Sequence, residues 1–131
     1  MCHSAAHNSR PARESLRKRL GATVAAALAL RDGAVCVYCG ATEASSGAHL
    51  HLDHVRPELK GTAAGDCAAN LVTACRRCNS ARQTTPLGAW CVAVGARTGE
   101  APEAVRARVK AVLRAKLDLA AAKAALAAKK A

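Results

Sequence analysis

The 131-residue chain contains no phenylalanine, one tryptophan and one tyrosine, so aromatic residues make up only 2% of it. A core built mostly from alanine and a few branched aliphatics buries little area per residue. Small domains in that position generally need a metal or disulfide staple. Acidic side chains are also scarce, 9 against 20 lysines and arginines, for a formal net charge of +11. Such a balance suits a polyanionic partner, although basic, alanine-rich flanks that are simply solvated helices would give the same total. The chain lacks the run of about 20 apolar residues that a membrane span requires, so no membrane association is expected. It also has no phosphate-cradling glycine-rich loop of the kind that serves ATP-driven motors. The stretch from Gly21 to Leu30 follows the basic run Arg17-Lys18-Arg19 and superficially resembles a secretory signal. It starts late and runs straight into Arg31-Asp32-Gly33, so the expectation is a chain without an export signal, in a reducing cytoplasm.

What the chain does have is cysteine, seven in all. Four fall in two C-x-x-C pairs, Cys36/Cys39 and Cys75/Cys78, separated by 35 residues. Each pair offers two thiolates from one turn, which is knuckle spacing for tetrahedral Zn²⁺. A redox dithiol would need only one pair. A site with four thiolates leaves no position open for water, so a metal there is structural rather than catalytic. Cys2, Cys67 and Cys91 are left over and read as ordinary thiols.

The positive charge is concentrated at the two ends. Residues 1–20 carry five basic and one acidic side chain, residues 102–131 eight and two, and the middle seven and six. A near-neutral centre between basic arms fits a site that handles phosphates and is held on a polyanion by its edges. Residues 1–10 show no periodicity and read as a disordered basic tail. Residues 11–30 read as a helix, with Leu16, Leu20, Val24 and Leu28 on one stripe and Gly33 as the stop. The central domain is expected over 31–95. It contains a loop at 41–48, a half-buried strand over 49–55 that Arg56-Pro57 ends, a glycine-containing loop at 58–69 with Asp66 as a turn cap, and a short helix from the second knuckle. Residues 96–131 read as a basic Ala/Lys-rich C-terminal helix and tail, helical from Pro102 to about Leu119 and with little to bury beyond that.

Between the knuckles the order is specific: Cys36-x-x-Cys39-Gly40, Asp53-His54-Val55-x-Pro57, a glycine-containing loop, Asn70-Leu71-Val72, then Cys75-x-x-Cys78-Asn79. This pattern, over about residues 31–82, resembles the zinc-bound branch of the HNH (His-Asn-His) endonuclease family, of phage or bacterial type. The resemblance implies an α+β fold: a small ββα-metal (His-Me finger) core stapled by the four-cysteine zinc site and flanked by N- and C-terminal helices. It also implies a metal-dependent DNA endonuclease, with DNA as partner. Hydrolysis of a phosphodiester needs a base to activate water and a cation to stabilise the developing charge. Imidazole suits the first role, so His54 is the expected general base. Asp53 and Asn79 are the expected oxygen ligands of a hard catalytic ion, Mg²⁺ or Mn²⁺. Asn79 stands where the founding pattern has histidine, which favours such an ion over Ni²⁺ or Zn²⁺. By the resemblance, Asn70 holds the loop and orients His54.

One geometric tension is visible at this level. Successive residues of a regular strand point to opposite faces, so Asp53 and His54 can serve one phosphate only where the strand ends or bends. Taken alone, that pair would read as a surface carboxylate and a core histidine. His49 and His51 share the strand face of Asp53 and read mainly as solvated. Arg76, Arg77 and Arg82 are expected to grip the DNA backbone. Two other functions fit parts of the pattern: a catalytically silent four-cysteine zinc module that only binds nucleic acid, and an accessory nuclease that works within a larger nucleic-acid-processing complex. The silent module needs the cysteines and arginines but not Asp53, His54, Asn70 and Asn79.

Overall fold

The computed structural model describes residues 16–130; the expected N-terminal tail and the first turn of the expected N-terminal helix lie outside them. The order of elements is α1 (Leu16–Leu20), α2 (Ala22–Arg31), α3 (Glu43–Ser46), β1 (His51–His54), a 3₁₀ turn (Pro57–Leu59), β2 (Leu71–Ala74), α4 (Arg76–Arg82), α5 (Leu87–Thr98), α6 (Pro102–Arg114) and α7 (Leu119–Lys130). The strands pair antiparallel, with His51 opposite Ala74, Leu52 opposite Thr73, Asp53 opposite Val72 and His54 opposite Leu71. The fold is therefore the expected α+β one: a two-stranded sheet leading into a helix, with flanking helices at both ends.

Several boundaries differ from the sequence reading for local reasons. The N-terminal helix is split at Gly21, whose φ of 89° is readily open only to glycine. The strand is shorter than 49–55 because Glu43, on α3, draws His49 Nδ1 and the Leu50 amide to its carboxylate. The loop expected at 41–48 contains the single turn α3, closed by a capping box between Thr42 and Ser45. The helix from Pro102 stops at Arg114. The alanine-rich tail, which had little to bury by sequence alone, forms α7 and lies against α2. Alanines on both partners make that close approach feasible, with Ala25, Ala27 and Leu28 of α2 and Ala122 of α7 buried.

The core gathers around the first knuckle. Val37 and Tyr38 pack with Leu50, Val55, Val72 and Ala74 on one side and with Trp90, Val94, Val105 and Val109 of α5 and α6 on the other. Val105 and Val109, four residues apart on one face of α6, are its buried residues. Arg108, on the same helix, donates to the main-chain oxygens of Val37 and Tyr38 and pairs with Glu100, fastening α6 onto the knuckle. The Tyr38 and Trp90 rings meet edge to face, 5.6 Å between centroids and 87° between planes. Cys91 is a buried free thiol.

At the end of α2, Asp32 accepts from the Arg31 guanidinium at 2.7 Å and from the Thr73 amide of β2 at 2.8 Å. Arg31 also reaches the main-chain oxygens of Ala68 and Leu71. Both side chains are essentially without solvent contact, so this pair locks the N-terminal helix to the sheet. Asp32→Ala leaves a buried guanidinium without its counter-charge and is expected to lower stability by about 3–5 kcal/mol. Urea denaturation followed by Trp90 fluorescence reads the loss directly.

Candidate active site and thiolate cluster

The four knuckle cysteines come together: their sulfur atoms all lie within 4.8 Å of one another, with Cys39 and Cys75 Sγ 3.7 Å apart. Gly40, at φ 80°, lets the chain turn back so that its amide bonds the Cys36 carbonyl at 2.8 Å. Cys75 caps α4 and accepts the Cys78 amide, which brings the second pair into the same corner. Thiolates packed this closely oppose one another's ionisation. The hydrogen bond from the Cys78 thiol, outweighing burial, pulls Cys36 down to about 5. That same bond, together with burial and the Cys36 charge, pushes Cys78 well above the ordinary thiol range. A soft dication among four sulfurs at about 2.3 Å from each would remove this conflict, so the donor set fits a structural zinc ion. Arg97 donates to Cys78 Sγ at 2.6 Å and offsets part of the cluster's negative charge.

Asp53, His54 and Asn79 line one open cleft of about 450 Å³, together with Arg19 and Lys60. The anticipated conflict between neighbouring strand residues is relieved because regular pairing ends at His54 and the chain turns at Pro57. Asp53 is buried and its Oδ2 accepts from Arg82 Nη1 at 2.7 Å and from the Tyr38 hydroxyl. Among the described residues its Oδ1 has no hydrogen-bond donor, and neither has the Asn79 side chain a partner. Burial, first, and the Asp53 charge hold the Tyr38 hydroxyl far above its ordinary range, so it stays protonated and donates to the carboxylate.

His54 is buried, with Nε2 2.7 Å from Asp66 Oδ1. Asp66 also accepts from the Gly61 amide at 3.1 Å and from Arg19 Nη2 at 2.9 Å. Burial opposes the charge on Asp66, but the bonds from His54, Gly61 and Arg19 prevail and hold its carboxyl below the usual range. Asp66 is thus far more than the turn cap its sequence position suggests. Asn70 is buried and ties the 55–70 loop: Oδ1 accepts from the Arg56 amide at 2.8 Å, and Nδ2 donates to the oxygens of Arg56 and Gly65. The side chain in contact with the His54 ring is Asp66 rather than Asn70.

The three arginines separate. Arg76 and Arg77 are exposed at the start of α4. Arg82 is fully buried, and this corrects the expectation that it grips a backbone. Its guanidinium donates to Asp53, the Tyr38 hydroxyl and the oxygens of His54, Val55 and Thr85. The sequence carried a usable signal: Arg82 is four residues after Cys78, so on a helix it shares the inward face of that ligand. Tyr38 had no comparable signal beyond being the lone tyrosine inside a knuckle. His49 and His51 are exposed, and His49 bonds Glu43. A larger groove, about 1000 Å³, runs along α2 and α7 and carries none of these groups.

An antiparallel strand pair followed by a helix, with a thiolate cluster at its base and an Asp-His-Asn cleft on its flank, is the small ββα-metal class. Residues 36–85 match the family model described as HNH endonuclease. A 60-residue stretch is 38% identical to a protein named CRISPR-associated endonuclease Cas9 of Actinomyces naeslundii, covering 45% of this chain and 5% of that one. The chain thus spans about a twentieth of the length of that curated relative. No solved structure matches. The similarity to HNH endonucleases is a property of the segment that builds the cleft and the cluster.

Tyr38→Phe removes one donor to Asp53 and one acceptor from Arg82 while keeping the ring on Trp90. The expected cost is about 1–2 kcal/mol, measured by denaturation of the zinc-loaded protein.

Proposed function

We propose that this protein is a metal-dependent DNA endonuclease in which His54 is the general base. The observation that carries the reading is the meeting of Asp53, His54 and Asn79 in one polar cleft, within the segment that matches the HNH family. Asp53, through Oδ1, and Asn79, through its amide oxygen, would hold Mg²⁺ or Mn²⁺; when bound, that ion supplies charge stabilisation for the phosphorane and the departing oxygen. His54 takes the proton from the attacking water. Arg82 and Tyr38, both bonded to Oδ2, hold the Asp53 carboxylate fixed in rotation. Cys36, Cys39, Cys75 and Cys78 hold a structural Zn²⁺ that fastens the first knuckle to α4.

Lys60 in the cleft, with Arg76 and Arg77 on α4, offers cations to the phosphates on either side of the scissile bond. No helix of the described residues is long and apolar enough to cross a membrane, and a reducing cytoplasm would keep the knuckle thiols available as ligands. The much greater length of the Cas9 relative favours a second possibility for the setting: a nuclease that acts beside a larger nucleic-acid-processing partner.

The deciding experiment incubates zinc-loaded protein with supercoiled plasmid in Mg²⁺, Mn²⁺ or EDTA, alongside His54→Ala. Metal-dependent nicking or linearisation is expected, reduced by about 10²–10⁴-fold in His54→Ala with DNA binding retained. Absence of cleavage by folded wild type in either metal overturns it in favour of a silent binding module or a partner-dependent enzyme. Separately, replacing Arg76 and Arg77 together by alanine is expected to weaken DNA binding uniformly across sequences. The slope of log affinity against log salt should fall by about one for each lost phosphate contact, as read by fluorescence anisotropy.

A further inference from the structure

We propose that Asp66 is the positioning residue of His54, and that Arg19, supplied by α1 from outside the family-matched segment, holds Asp66 in place for it. The consequence for rate rests on the nuclease reading above; the positioning itself does not.

Asp66 stands in the long loop between the strands, yet three donors fix it from three parts of the chain. His54 Nε2 and the Gly61 amide share Oδ1, at 2.7 and 3.1 Å. Arg19 Nη2 takes Oδ2 at 2.9 Å, with only 15% of its side chain exposed. An ionised carboxylate can only accept, so the hydrogen between the two groups belongs to Nε2. The lone pair of the neutral ring is then at Nδ1, which has no hydrogen-bond partner among the described residues. A base needs its ring both in this tautomer and unable to swing, and a carboxylate partner secures both. Asn70 is not available for the task because its amide is engaged with Arg56 and Gly65. The arrangement brings α1 into the active centre: without Arg19, Oδ2 loses its cation and Asp66 can rotate away from the ring.

The test reads the tautomer directly. ¹⁵N chemical shifts and two-bond couplings of the imidazoles are recorded about two pH units above the ordinary histidine value, with His54 assigned by its loss in His54→Ala. Wild type is expected to show His54 protonated at Nε2. Asp66→Ala should convert it to a mixture of tautomers and lower kcat by about 10–100-fold, with KM within about twofold because no DNA contact is removed. Asp66→Leu is of similar shape but accepts from none of the three donors, and is expected to move both readouts in the same direction. Arg19→Gln, at the edge of the fold, should do so to a smaller extent. Circular dichroism and zinc content establish that each variant is folded. A folded Asp66 variant that keeps the Nε2 tautomer, or keeps wild-type kcat, overturns the proposal. If both Asp66 variants unfold, an unchanged tautomer in Arg19→Gln overturns the Arg19 link, and unfolding itself assigns Asp66 to the loop rather than to the base. If wild type cuts no DNA, the nuclease reading fails, while the tautomer still decides whether Asp66 positions His54.

Discussion

A fully enclosed guanidinium organises this molecule. Arg82 cannot shed its charge and cannot reach water, so every donor must find an acceptor inside the fold. It finds Asp53, the Tyr38 hydroxyl and three main-chain oxygens, His54 and Val55 at the end of β1 and Thr85 beyond α4. These bonds fix the end of the strand against the helix, which is where Asp53, His54 and Asn79 must converge. The same constraint couples the sulfur cluster to the cleft: Tyr38 lies between Cys36 and Cys39, so the residue that steadies the cleft carboxylate is set by the geometry of the knuckle.

The remainder of the architecture compensates for a shortage of bulky side chains. The sulfur cluster joins two turns distant in sequence, and the ring pair of Tyr38 and Trp90 concentrates most of the aromatic surface at that junction. The flanking helices close the structure from outside. α6 is fastened by Arg108 to the knuckle backbone, and α2 by the Arg31–Asp32 pair to β2. α7 covers α2 through alanines, which offer little apolar area but allow close approach.

Much of this was legible one residue type at a time. The two C-x-x-C pairs, the Asp-His pair and both asparagines each carry a spacing with a physical meaning, and the structure gathers the four sulfurs into one cluster and Asp53, His54 and Asn79 into one cleft. The tyrosine, the buried arginine and Asp66 carry no spacing rule. Their roles are defined by partners 12 to 47 residues away in sequence, contacts that no local pattern encodes. Arg82 illustrates the limit well. Beside Arg76 and Arg77 it reads as one of three surface cations, and only the helical phase set by Cys78 separates it from them.

The sequence by itself determined the chemistry available: four soft ligands in two turns, an imidazole beside a carboxylate, two amides, and cations concentrated at the ends of the chain. It also determined the strand-to-helix order, because ligand spacing and hydrophobic periodicity are properties of the chain. The tertiary structure decided which groups face one another. It turned Arg82 inward and left Arg76 and Arg77 outside, brought Asp66 to the His54 ring, and drew Arg19 from the N-terminal helix into the cleft. Those choices follow from the demand that every buried charge be paired, which can be met only once distant segments have come together.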